Sequence, residues 1–68
     1  MKVLHYHPFL IKPNNIELGE IFDVTLNTQE EVLPYAHKLQ ELGARNILVS
    51  MAGQGAVLLD ENGKEYRL

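Results

Sequence analysis

Two short apolar runs, Phe9–Ile11 and Ile47–Val49, are separated by a stretch whose apolar residues recur at helical spacing. This feature constrains the chain most. Strands joined through a helix run parallel, because the crossover returns the chain to the same end of the sheet. Neither run alternates apolar with polar residues, so both suit strands covered on two faces. Lys12-Pro13 closes the first run. A residue before proline avoids the helical region, which keeps that run extended.

The helical signals lie between them. From Asn15 onward, Ile16, Leu18, Ile21 and Phe22 predict a helix of about two turns, followed by a loop over Asp23–Asn27. Thr28-Gln29-Glu30-Glu31 has the form of a capping box, with Thr28 as N-cap and Glu31 at the third helical position. Val32, Tyr35, Ala36, Leu39 and Leu42 then make an apolar stripe, and Gly43 suits a left-handed stop. Pro34 lies beyond the first turn, so it deletes one backbone hydrogen bond and predicts a bend. After the strand at Asn46–Ser50 come a small-residue loop at Met51–Gly55 and a third strand at Ala56–Leu59. Asn62-Gly63 is a type I′ hairpin signal, and it leads into an antiparallel fourth strand at Lys64–Leu68. Residues 1–8 either close a helix or lead into a strand. The expected fold is α/β, a β-α-α-β unit followed by a β-hairpin.

Composition narrows the function. A chain of 68 residues forms at most one small domain, and a domain of that size buries only about 60% of its unfolded surface. There are no cysteines, which excludes a disulfide framework and a thiolate metal site. The net charge is −3 and the six Lys and Arg residues are scattered, so nucleic acid is not an expected partner. No apolar run approaches the ~20 residues that span a bilayer. With no leader-like segment either, the expectation is a soluble cytoplasmic chain without a membrane partner. Two helices of this size cannot cover both faces of the sheet, and the sequence stops within its last strand. A piece of a larger domain is therefore expected.

Three stretches could carry chemistry. Asn14-Asn15-Ile16-Glu17 fits a helix start, with Asn14 as N-cap and Glu17 completing a variant capping box. The same place, at the carboxyl end of a parallel strand, is where α/β sheets bind ligands. A glutamate there repels a bare phosphate but becomes useful when hydrated Mg²⁺ lies between them. Ser50-Met51-Ala52-Gly53-Gln54-Gly55 is either a tight connection between strands or a loop whose small residues let backbone approach a phosphate. It is neither a Walker A loop nor a dinucleotide fingerprint. Lys12 can contact a phosphate or extend to solvent. His5-Tyr6-His7 offers half of a metal site with no third ligand in view. His37 falls on the polar side of the long helix and is expected in solvent.

The order of these elements is more specific than any one of them. "FLIKPNNIELGEIF", and later "LQELGARNILVSMAGQGAVLLDENGKEYRL", resemble the ribokinase-like carbohydrate kinase family. Within it the resemblance is to the branch of bacterial 1-phosphofructokinase and tagatose-6-phosphate kinase. The pattern Lys-Pro-Asn-x-x-Glu, followed about 33 residues later by Val-Ser-x-x-x-x-Gly-Ala, carries it. The implied fold is part of a three-layer α/β/α sandwich, with residues 1–68 forming part of the nucleotide-binding side of a sugar kinase domain.

The resemblance also implies roles. Asn14 would help order the nucleotide phosphates and Glu17 would hold Mg²⁺, through water. Lys12 would lie near the nucleotide. Ser50, Met51, Ala52, Gly53, Gln54 and Gly55 would contact ATP. The implied reaction transfers the γ-phosphoryl group of ATP to a phosphorylated ketohexose, so the implied partners are ATP, a sugar phosphate and, in an oligomer, a second copy. Ala52 occupies a position that is commonly glycine in the family, and Gly53 is the residue able to take over the turn. The sequence has no Gly-x-Gly-Asp segment, which in the family supplies the catalytic base and anion hole. The chain alone is thus expected to be inactive. Two alternatives stand beside this reading: a kinase for an unphosphorylated sugar or nucleoside, and a non-catalytic α/β module that self-associates.

Overall fold

The computed structural model describes residues 8–68. The elements run β1 (Leu10–Ile11), α1 (Asn15–Phe22), α2 (Gln29–Glu41), β2 (Asn46–Met51), β3 (Gly55–Leu59) and β4 (Glu65–Arg67). Among these residues the strands form one sheet in the order β1-β2-β3-β4. β1 pairs parallel with β2, Ile11 beside Ile47, while β2–β3 and β3–β4 are antiparallel. This is the β-α-α-β unit plus hairpin that the sequence predicts. His5 and His7, and the choice of helix or strand at the amino end, lie outside the described residues. Among the described residues no helix is long and apolar enough to cross a membrane.

Both helices start where their caps dictate. Asn14 accepts from the Glu17 N–H at 2.7 Å, and the Glu17 carboxylate accepts from the Asn14 N–H at 2.9 Å. Thr28 and Glu31 repeat the arrangement, and the Glu31 carboxylate also accepts from Asn27 N–H at 2.8 Å. α1 stops at Asp23, which takes a left-handed conformation at φ 58°, one that a short polar side chain tolerates. α2 continues through Pro34. The missing N–H leaves the Glu30 carbonyl without its usual helical donor, and Pro34 is exposed, so water can serve it.

The core lies between the helices and one face of the sheet. Ile47, Val49 and Met51 of β2 and Val57 and Leu59 of β3 pack against Leu18, Val32, Leu33, Ala36 and Leu39. Lys38 sits over Phe22 and Tyr35, whose ring centroids are 5.2 Å apart, and so joins α2 to α1. His37 bonds Glu65 at 2.7 Å and Arg67 bonds Glu30 at 2.8 Å, tying α2 to the edge strand β4. His37 is thus paired rather than merely solvated.

Three expectations change. Phe9 and Leu10 are 67% and 40% exposed among the described residues. Among the described residues β1 has a neighbour on one side only and the helices cover one face, so within them the double coverage inferred from its composition is not met. On α1 the inward stripe is Leu18 with Phe22, one turn apart, and Ile16 points to solvent at 68% exposure. The hairpin is not type I′, because Asn62 does not take the positive φ that type requires. Instead the Asp60 carboxylate accepts from the Asn62 and Lys64 N–H groups, and Gly63 alone is left-handed, at φ 84°. That matches a three-residue loop closed by a glycine bulge.

Gly55 takes φ 72°, and a Cβ there would collide with the Leu68 carbonyl. Gly55→Ala is expected to destabilise the chain by about 2 kcal/mol or more. Gly53→Ala, also at positive φ but facing open space, should cost only about 1 kcal/mol. Urea denaturation of the two variants measures the difference.

Candidate nucleotide-binding edge

Parallel pairing puts the carboxyl ends of β1 and β2 at the same edge of the sheet. There the Ser50 N–H donates to the Pro13 carbonyl at 3.2 Å, and Asn14 and Ser50 form a bridge beyond the end of β1. The two sequence motifs are therefore adjacent in space. Asn14 and Glu17 open α1 on one side, and the turn Ala52–Gln54 follows β2 on the other. Ser50 and Ala52 through Gly55 are exposed.

The turn is built as the sequence suggests. Ala52 does not take a positive φ, and Gly53 does, at 78°. Glycine bears that conformation without the steric penalty alanine would meet. Gln54 N–H donates to the Met51 carbonyl at 3.3 Å, which closes the turn. Met51 itself is only 6% exposed, with its side chain in the core, so it can offer a ligand only its backbone. Ser50 points the other way, since successive strand residues alternate faces. Lys12 is exposed between β1 and Pro13.

The amino end of α2 comes to the same edge. Gln29 Nε2 donates to the Gln54 carbonyl at 2.8 Å, and Gln54 Nε2 donates to the Asn27 carbonyl at 3.0 Å. Asn15 Nδ2 donates to the Leu26 carbonyl at 2.8 Å, which fastens the 23–27 loop to the start of α1. Two helix amino ends, each carrying positive dipole character, and one glycine-containing turn thus share one edge. Gln29 was not legible as part of this site, because glutamine at the first helical position has no distinguishing local signature.

The donor set suits a particular metal chemistry. Among the described residues no group of three or more His, Cys, Asp or Glu could hold a metal ion. Glu17 brings a carboxylate to the α1 side of this edge and Glu31 one to the α2 side, each already accepting from its own cap, Glu17 Oε1 from the Asn14 N–H and Glu31 Oε1 from the Thr28 N–H. So few carboxylates fit Mg²⁺, which keeps several waters and takes one or two carboxylates plus phosphate. It does not fit a metal held wholly by protein. A cavity of about 330 Å³ lies on the other flank of α1, against the 23–27 loop, and meets this edge only at Asn15 and Asn27.

The family description "pfkB family carbohydrate kinase" matches residues 1–68. A 1-phosphofructokinase from Bacillus subtilis is 50% identical over 58 residues, which is 85% of this chain and 19% of that protein. A D-tagatose-1-phosphate kinase from Bacillus licheniformis is 40% identical over 58 residues, covering 84% of the chain and 19% of its own length. The tagatose kinase is thus named for the 1-phosphate rather than the 6-phosphate. Phosphofructokinase-2 from Escherichia coli, solved in complex with fructose-6-phosphate, superposes with a TM-score of 0.79 at 26% identity, covering 93% of this chain and 21% of that one. The chain spans about a fifth of the length of the curated relatives it matches.

Asn14→Ala is expected to lower stability by about 1 kcal/mol through loss of the α1 cap. Asn14→Asp, an equally good capping residue, should retain it. Chemical denaturation followed by circular dichroism distinguishes the two.

Proposed function

Because the chain belongs to the pfkB family of carbohydrate kinases, we propose that it forms part of the nucleotide-binding ledge of an ATP- and Mg²⁺-dependent sugar-phosphate kinase. Its reaction is transfer of the ATP γ-phosphoryl group to a hydroxyl of a phosphorylated ketohexose, in the manner of a 1-phosphofructokinase. The observation that carries this reading is the bridge between Asn14 and Ser50, closed by the Ser50–Pro13 hydrogen bond. It sets a capped helix start beside a small-residue turn, and that adjacency supports reading both as contacts to one triphosphate.

Each residue has a distinct task. Glu17 would hold hydrated Mg²⁺ through water, its carboxylate also accepting from the Asn14 N–H. When bound, the metal neutralises charge on the phosphate oxygens. Asn14 keeps the first turn of α1 in place, so that its N–H groups face the phosphates. Lys12 supplies a cation beside them. The backbone of Ser50 through Gly55 lies along the nucleotide, with the Ser50 hydroxyl as an additional hydrogen-bonding group. Phosphoryl transfer depends mainly on positioning and charge stabilisation, and these residues contribute to both. No Gly-x-Gly-Asp segment occurs in the 68 residues, so base and acceptor pocket come from elsewhere in the kinase, and this chain alone does not turn over substrate. The acceptor is assigned as a ketohexose 1-phosphate because both Bacillus relatives carry 1-phosphate names.

A hybrid enzyme tests this. Substituted for the matching segment of the Bacillus subtilis 1-phosphofructokinase, the chain is expected to support phosphoryl transfer. Glu17→Gln in that hybrid keeps a side chain able to close the capping box. It should lower kcat by about 10- to 100-fold and raise the Mg²⁺ requirement, with the melting temperature unchanged. Unaltered kinetics in a folded Glu17→Gln hybrid would remove the metal role assigned to Glu17.

A further inference from the structure

The Ala52–Gln54 turn has few side-chain contacts of its own at its tip, Gly53. Gly53 and Gly55 both have positive φ, and no atom lies within 4 Å of where a Gly53 Cβ would sit. Glycine in open space has many conformations of similar energy, and a single backbone bond, from Gln54 N–H to the Met51 carbonyl at 3.3 Å, closes the turn from within. Side-chain amides add to that bond from outside. Gln29 Nε2 donates to the Gln54 carbonyl at 2.8 Å and lies 3.5 Å from the Ala56 carbonyl, while Gln54 Nε2 donates to the Asn27 carbonyl at 3.0 Å.

The base of these bonds is itself fixed. Gln29 is the first residue of α2, and Asn27 immediately precedes the N-cap Thr28. Glu31 Oε1 accepts from both Asn27 N–H and Thr28 N–H, at 2.8 and 3.1 Å. The α2 capping box therefore holds the donor and the acceptor on which the turn is hung. The geometry points to Gln29 and Gln54 as a two-amide clasp that sets the turn in its nucleotide-ready conformation, with Gln29 a positioning residue that acts through the turn. This inference rests on the nucleotide-ledge reading above.

The chemistry explains the residue type. An amide donates without carrying charge, so it can stand beside a phosphate-binding turn without repelling or trapping the ligand. A carboxylate at position 29 has no proton for the Gln54 carbonyl. A lysine there restores a donor.

The test uses the full 68-residue chain with Mg-ATP as probe. In Gln29→Met, amide hydrogen exchange at Gly53, Gln54 and Gly55 is expected to speed by about threefold to tenfold, and Mg-ATP affinity to fall by a similar factor. Exchange at Val49, in the buried centre of β2, and the urea midpoint should stay as they are. Gln29→Glu should behave like Gln29→Met, and Gln29→Lys should recover the turn's protection. Unchanged exchange at the turn overturns the clasp. So does faster exchange spread equally through β2, the mark of a merely structural role. If the unaltered chain binds no Mg-ATP, it is the ledge reading that fails, and the exchange pattern still decides whether the clasp holds the turn.

Discussion

Everything at the candidate edge depends on the hydrogen bond from Ser50 N–H to the Pro13 carbonyl. Parallel pairing leaves β1 and β2 pointing the same way, and this bond extends their alignment just past the last ladder residues. Proline is well placed for the task. It accepts through its carbonyl but has no N–H to donate, and beyond it only the single Asn14–Ser50 bridge remains of the pairing. The chain is then free to turn at Asn14, whose extended backbone conformation, φ −86° and ψ 174°, is that of an N-cap. One residue thus ends the strand, aligns it with its neighbour and delivers the chain to a helix start.

The helix caps link folding to the site's electrostatics. A helix amino end attracts anions, and two of them meet this edge. Each also carries its own carboxylate, Glu17 or Glu31, bonded back to its cap. Those carboxylates temper the field that the dipoles create. An edge so composed suits a polyphosphate whose charge is already shared with a metal better than a bare anion. Glu17 in particular stabilises α1 whatever it does for a ligand, so its presence follows from helix formation before any function is asked of it.

What the sequence made legible is what local physics determines. The β-α-α-β order, both capping boxes and the transfer of the turn to Gly53 all depend on residues near one another in the chain. The misreadings arise where a distant or competing partner decides. Phe9–Ile11 is apolar enough for two-sided burial, but coverage depends on which layers are present. Ile16 and Leu18 share a helical pattern, and only the position of α2 and the sheet selects Leu18 for the core. Asn62-Gly63 favours one hairpin type in isolation, and the Asp60 carboxylate captures the nearby N–H groups and imposes another. Met51 reads as the start of a loop but is the last core residue of β2. The Gln29–Gln54 contact joins positions 25 apart in the chain and leaves no trace in either neighbourhood.

The alternation at the end of β2 carries a final consequence. Met51 fills the interior while Ser50, one residue earlier, faces outward. Loss or gain of a single residue within Asn46–Ser50 would exchange those orientations, opening a hole in the hydrophobic packing and withdrawing the hydroxyl together. The length of this strand is therefore constrained for two reasons at once.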